Sequence, residues 1–151
     1  MQVAESFASL SNARRSKVGA VIVTENGVIL GGVNGMAPNT ENTLEKVEYK
    51  YEDYTDREVF ESIEGYKYVL VTKPNVIHAE INAVLKAAKE GVSIVNSTLY
   101  VTLTPCEHCA EMILAAGIKR VVYKEEYRSR LGLIRLAKNG VLVEKFGESL
   151  C

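Results

Sequence analysis

A chain of 151 residues, 47% of them hydrophobic, has the size of one compact domain and can bury a full core. A formal net charge of -1 excludes the broad basic footprint of a nucleic-acid binder, although a local patch can still receive one phosphate. Three cysteines make no disulfide framework, no apolar run approaches membrane-spanning length, and no leader stretch opens the chain, so the expected setting is a reducing cytoplasm, the host's if the chain is viral.

Val3, Ala4, Phe7 and Leu10 have the spacing of a short helix over Val3 to Leu10. A polar, basic loop, Ser11-Asn-Ala-Arg-Arg-Ser-Lys, leads into Val18-Gly-Ala-Val-Ile-Val, which reads as a buried strand. Glu25-Asn-Gly27 turns it into a second strand, Val28-Ile-Leu-Gly-Gly-Val. Residues Met36 to Ile77 read as an insertion within one domain. Tyrosines are mixed with acids there, Pro38 and Pro74 interrupt it, and helical stretches are expected near Thr43 to Tyr51 and Arg57 to Glu64. The run Tyr51-Glu-Asp-Tyr-Thr-Asp reads either as solvated surface or as an oligomer contact.

Ala79 to Glu90 has one apolar face, Ile81, Val84, Leu85 and Ala88, and Gly91 to end it as a helix. Thr98-Leu-Tyr-Val-Thr-Leu reads as a strand, Cys106 to Ala116 as a helix and Arg120-Val-Val-Tyr as a strand. Arg128 to Lys138 follows as a helix and Val141-Leu-Val-Glu-Lys-Phe as the last strand. An opening hairpin followed by strands that alternate with helices predicts an α/β fold, a three-layer αβα sandwich on a mixed five-stranded sheet.

Two stretches carry the chemistry. Val76-Ile-His-Ala-Glu-Ile-Asn-Ala and Leu103-Thr-Pro-Cys-Glu-His-Cys-Ala supply one imidazole, two thiols and a carboxylate, each just before or within an apolar helical run. His78, Cys106 and Cys109 suit a single zinc ion, because soft thiolates with an imidazole disfavour magnesium or calcium. Three protein ligands leave a fourth tetrahedral position for water. Glu80, two residues beyond the histidine, is placed to take a proton from that water without ligating. Cys106-x-x-Cys109 by itself would also fit a redox pair or half of a structural zinc knuckle. A closed structural shell needs a fourth ligand, however, and the remaining candidates are His108 in the same loop and Cys151, which reads as a free terminal thiol.

His-x-Glu followed by Pro-Cys-x-x-Cys is the signature of zinc deaminases. Together with Val18-Gly-Ala-Val-Ile-Val, Gly32-Val-Asn-Gly-Met-Ala-Pro and Thr102-Leu-Thr-Pro-Cys-Glu-His-Cys-Ala, it makes the chain resemble the cytidine and deoxycytidylate deaminase superfamily. Gly-x-Asn-Gly narrows the resemblance to the deoxycytidylate (dCMP) branch, over Ser11 to Asn34 and His78 to about Phe146. The resemblance implies hydrolysis at C4 of cytosine, giving dUMP for thymidylate synthesis, with Glu80 moving protons from water to ring N3 and then to the departing amine. It further implies that the Ala79 backbone meets the pyrimidine edge, that Asn34 meets the sugar hydroxyl and that Tyr127 lies near the base. Asn34 as a turn residue and Tyr127 as core packing remain open alternatives.

A monophosphate needs cationic or amide partners, and Arg14, Arg15 and Lys17 are the candidates nearest the first strand. Ala13-Arg14 stands where many relatives carry Asp-Pro, and a merely solvated basic loop is the alternative. The resemblance also implies a homohexamer regulated by dCTP and dTTP, with Mg2+ accompanying the triphosphate and Gly32, Asn34 and Gly35 near the effector. Some viral relatives hold a second zinc with cysteines and histidines between the Gly-x-Asn-Gly segment and the catalytic histidine. That interval has none here, so one zinc per chain is expected. Neither nucleic acid nor membrane is expected as a partner. The rival readings are a deaminase acting on another cytosine or adenine nucleoside, and a non-catalytic, zinc-containing nucleotide-binding regulator.

Overall fold

The computed structural model describes residues 1–49 and 58–148. Helix α1, Gln2–Ser9, is followed by the hairpin β1, Gly19–Val23, and β2, Ile29–Val33. At its turn Gly27 takes a positive φ of 83°, and the Thr24 hydroxyl accepts the N–H of Val28. Strands β3, Glu45–Tyr49, β4, Val59–Glu61, and β5, Lys67–Thr72, come next. They are followed by α2, Ala79–Glu90, β6, Thr98–Leu103, and α3, Glu107–Ala115. The chain then forms β7, Arg120–Glu125, α4, Leu131–Lys138, and β8, Leu142–Lys145.

The main sheet has the order β2-β1-β6-β7-β8. Its β1–β2 and β1–β6 pairs are antiparallel, and its β6–β7 and β7–β8 pairs are parallel. This is the mixed five-stranded sheet expected from the alternation of elements, and the parallel part is where helical crossovers intervene. Two adjacent glycines show how the layers sit. A Cβ on Gly31 would strike the Phe7 ring of α1, whereas one on Gly32 would strike Ala79 and Ala83 of α2. Successive strand residues face opposite ways, so α1 and α2 cover opposite faces of the sheet. Ala20, Ile22, Leu99, Val101 and Val121 share one buried cluster with Ala83 and Ala87 of α2, Ile113 of α3 and Leu136 of α4. That cluster is the core, and the site lies at its rim.

The stretches near Thr43 to Tyr51 and Arg57 to Glu64, expected to be helical, instead contain strands β3 and β4, and none of their described residues is helical. Val47, Tyr49, Val59 and Phe60 are β-branched or aromatic and fit a pleated surface. All gain a partner in β5, the centre of a second sheet of order β3-β5-β4. Phe60 stacks on Tyr68, its register partner, with ring centroids 5.6 Å apart, and Tyr49 meets Tyr66 edge-on. Cross-strand pairing thus overrides the helical preference of the glutamates and lysines between them. Helix α4 begins three residues later than the expected Arg128. The run Tyr51-Glu-Asp-Tyr-Thr-Asp and Cys151 lie outside the described residues.

Candidate active site

The two chemical stretches meet because each one ends a connection at a helix N-terminus. An isolated bridge between Gly35 and Ile77 delivers the chain to His78, which caps α2 in an extended conformation and leaves Glu80 in its first turn. Cys106 caps α3 in the same way, and its sulfur accepts the backbone N–H of Cys109 at 3.5 Å. Thiolates are stabilised at this end of a helix by the unpaired N–H groups and the macrodipole.

His78 Nδ1 stands 3.2 Å from Cys109 Sγ and 3.6 Å from Cys106 Sγ, and the three ligand atoms all lie within 4.8 Å of one another. A tetrahedral zinc with Zn–S of about 2.3 Å and Zn–N of about 2.0–2.1 Å requires N···S edges of about 3.6 Å. The donor set and its spacing therefore fit zinc. The Cys109 thiol donates to Cys106, and His78 adds a second bond, so the Cys106 thiol is held down at about 3. The same Cys106 bond, with burial, pushes the Cys109 thiol up, and the Cys106 sulfur raises His78. His78, Cys106 and Cys109 would hold a cation in place of that shared proton, with both sulfurs as thiolates.

Glu80 is 4% exposed, and burial pushes its carboxyl above the ordinary carboxylate range. Glu80, His78 and Cys106 border a cleft of about 700 Å3, counting its open mouth, near the carboxyl ends of β6 and β7. That is the placement of a small-molecule site in an α/β sheet.

Of the residues singled out for substrate, Ala79, Asn34, Arg15 and Tyr127 border this cleft. The Asn34 amide is held on both sides by backbone: its oxygen accepts Val18 N–H and its nitrogen donates to the Ser16 carbonyl, each at 2.9 Å. Asn34 thus fastens the basic loop to the end of β2, as a turn residue does. Tyr127 is 41% exposed, outside the core, and its N–H donates to Thr104 Oγ1 at 2.8 Å. Arg14 is exposed, away from the cleft lining, while Lys17 borders a neighbouring groove. Gly32 is buried under α2, and Gly35 exchanges backbone hydrogen bonds with Ile77.

Among the cleft residues that sequence reasoning missed are Leu44, Glu45 and Thr72. All three belong to the segment Met36 to Ile77, which the sequence reads as an insertion. Glu45 Oε1 accepts the N–H groups of Arg14 and Arg15 at 3.0 and 3.2 Å, and Arg15 Nη1 donates to Thr72 Oγ1 at 3.3 Å. No local pattern distinguishes Glu45 from the other acids of that segment. Among the described residues, no helix is long and apolar enough to cross a membrane.

Comparison with known proteins covers the stretches that build this site. Residues 1–125 match the family model described as the cytidine and deoxycytidylate deaminase zinc-binding region. The deoxycytidylate deaminase of Enterobacteria phage T4 is 34% identical over 147 residues, covering 84% of this chain and 76% of that protein. The Saccharomyces cerevisiae deoxycytidylate deaminase is 33% identical over 97% of this chain, which spans only 43% of the yeast protein. The crystal structure of the dCMP deaminase of cyanophage S-TIM5, in complex with dCMP and dUMP, superposes with a TM-score of 0.76. It is 39% identical and covers 96% of this chain and 92% of its own. With both halves of the ligand set inside the matched region, the chain belongs to the cytidine and deoxycytidylate deaminase family.

Proposed function

We propose that the chain hydrolyses dCMP to dUMP and ammonia. The observation that carries this reading is the convergence of His78, Cys106 and Cys109 on one point at the cleft, with the buried Glu80 two residues along the same helix. A zinc ion held by these three residues lowers the pKa of a water from 15.7 towards about 7, so that hydroxide is supplied at neutral pH.

Glu80 then has one task, proton movement. Its carboxylate takes the proton released by water, gives it to ring N3 and delivers the next one to the departing amine. The Ala79 backbone, at the first position of α2, orients the pyrimidine edge, and Tyr127 borders the base from the loop after β7. Asn34 offers the sugar hydroxyl what its amide does not spend on the loop. Arg15, which reaches the cleft while Arg14 stands exposed, is the cation for the 5′-phosphate. We extend the reading to a cytoplasmic homohexamer with one zinc per chain. Its dCTP and dTTP control would act near Gly32, Asn34 and Gly35, with Mg2+ on the triphosphate; the family resemblance supports this extension.

The test is ammonia release from dCMP, cytidine, cytosine and a tRNA stem-loop, by wild-type protein and by Glu80→Gln. Turnover of dCMP is expected, with a loss of roughly 10²- to 10⁴-fold in the variant at unchanged zinc content. Turnover of cytidine but not dCMP would reject the substrate, and full activity in Glu80→Gln would reject the proton carrier.

A further inference from the structure

Gly132 stands in the first turn of α4, and it is buried. A Cβ built on it would lie 2.1 Å from the carbonyl oxygen of Pro105 and 2.9 Å from the carbonyl carbon and oxygen of Cys106. These are all backbone atoms of the loop that carries the first thiolate, and none is a flexible side-chain tip that could swing away. Gly132 is not among the glycines with positive φ, so its backbone conformation does not demand glycine. What demands it is space: α4 rests directly on the metal-ligand loop. Glycine inside a helix costs roughly 0.5–1 kcal/mol against alanine, a penalty that close contact of this kind explains.

The same connection grips the loop a second time. Thr104, 5% exposed, donates its N–H to the Glu125 carbonyl at 3.0 Å and accepts the N–H of Tyr127 at 2.8 Å. Farther along, Arg135 pairs with Glu111 of α3 through two nitrogens, but both side chains are exposed and hold little by themselves. The close approach at Gly132 and the Thr104 bonds therefore set where Cys106 stands.

We propose that Gly132 is a positioning residue for the metal site, fixing the Cys106 sulfur against His78 and Cys109; this rests on the zinc reading given above. A methyl at this position needs the two backbones to part by roughly an ångström. Ligand distances must hold within about 0.2 Å for zinc to be gripped normally. The displacement exceeds the tolerance, so the metal is the reporter.

The experiment compares wild type, Gly132→Ala, Thr104→Val and the exposed-residue control Leu131→Ala, each checked for folding by circular dichroism. The readouts are the rate of zinc loss to a chromogenic chelator and the absorption spectrum of the cobalt(II)-substituted protein. Gly132→Ala should lose zinc roughly 10–100-fold more readily and shift the thiolate-to-cobalt bands, as changes around a ligand do, while Leu131→Ala matches wild type. Wild-type zinc retention and cobalt bands in folded Gly132→Ala would overturn the inference. If that variant does not fold, Thr104→Val decides: faster zinc loss with shifted bands supports positioning from this connection, and wild-type behaviour rejects it. Wild-type protein that binds no zinc would fail at the earlier step, overturning the proposed function and this inference with it.

Discussion

Cys109 is fully buried, and its sulfur stands with His78 and Cys106 in the candidate ligand group. Replacing it by serine keeps the volume and removes the soft donor, so Cys109→Ser should fold. Its zinc affinity should fall by more than the roughly 10–100-fold typical when only a ligand's supporting bonds change. Metal analysis after dialysis against a chelator measures this, and stoichiometric zinc in the variant would remove Cys109 from the ligand set. Gly32 makes the complementary case, since a side chain there has nowhere to go. Its Cβ would meet the Ala79 carbonyl at 2.1 Å and the Ala83 nitrogen at 2.5 Å, beneath the helix that starts at His78. Gly32→Ala should cost about 1–3 kcal/mol, as overpacking does, and lower Tm by roughly 2–4 °C for each kcal/mol. A thermal melt at wild-type Tm would show that α2 accommodates the methyl. The four chemical residues were legible because soft donors and an acid at fixed spacing have few other uses. The need for glycine at 32 and 132 was not, because each depends on a segment remote in sequence, α2 for Gly32 and the Pro105-Cys106 loop for Gly132.

The elements of the main sheet were legible for a related reason. Val18 to Val23 and Thr98 to Leu103 are apolar runs bounded by turn residues, and Gly91 stops the helix Ala79 to Glu90 in a left-handed cap, φ 66°, but the face that helix buries is Ala79, Ala83 and Ala87 and not the expected Ile81, Val84, Leu85 and Ala88, of which Leu85 and Ala88 are exposed. The second sheet lacks that clarity. Only its central strand buries adjacent residues, Val69 and Leu70, while Val47, Tyr49 and Val59 stay substantially exposed, so neither period stands out in the sequence. Yet this sheet delivers Glu45 to the cleft, where one carboxylate oxygen holds two consecutive N–H groups of the Arg14-Arg15 loop. Without it the loop that carries Arg15 loses one of its anchors, another being Asn34. Glu45→Ala should raise KM for dCMP about fivefold, equivalent to about 1 kcal/mol of lost hydrogen bonding, and leave kcat nearly unchanged. Glu45→Gln keeps an acceptor oxygen and should recover most of the loss. Steady-state kinetics separates the two constants, and a fall in kcat at constant KM would place Glu45 in the chemistry instead.

For the molecule as a whole, the proposed ligand set would join two helices that also pack through apolar side chains. His78 opens α2 and Cys106 opens α3, and Ala83, Ala87, Ala110 and Ile113 of these helices sit in one core cluster. That cluster of apolar side chains is built without His78 or Cys106, so the chain should keep a cooperative fold when zinc is removed, unlike a small zinc finger. A cation bound only by the folded arrangement must still stabilise it, by about 4 kcal/mol at a free concentration a thousand times its Kd. For a chain of this length that corresponds to a Tm higher by roughly 8–16 °C with zinc than after chelation. Glu80→Gln should keep the full shift, because the carboxylate lies beside the ligands without being one. Cys109→Ser should lose most of it. Calorimetric scans of the three proteins with zinc and with chelator give the comparison. A Tm indifferent to zinc in the wild type, with chelation verified by metal analysis, would mean that the ion does not bridge α2 and α3 in the folded chain.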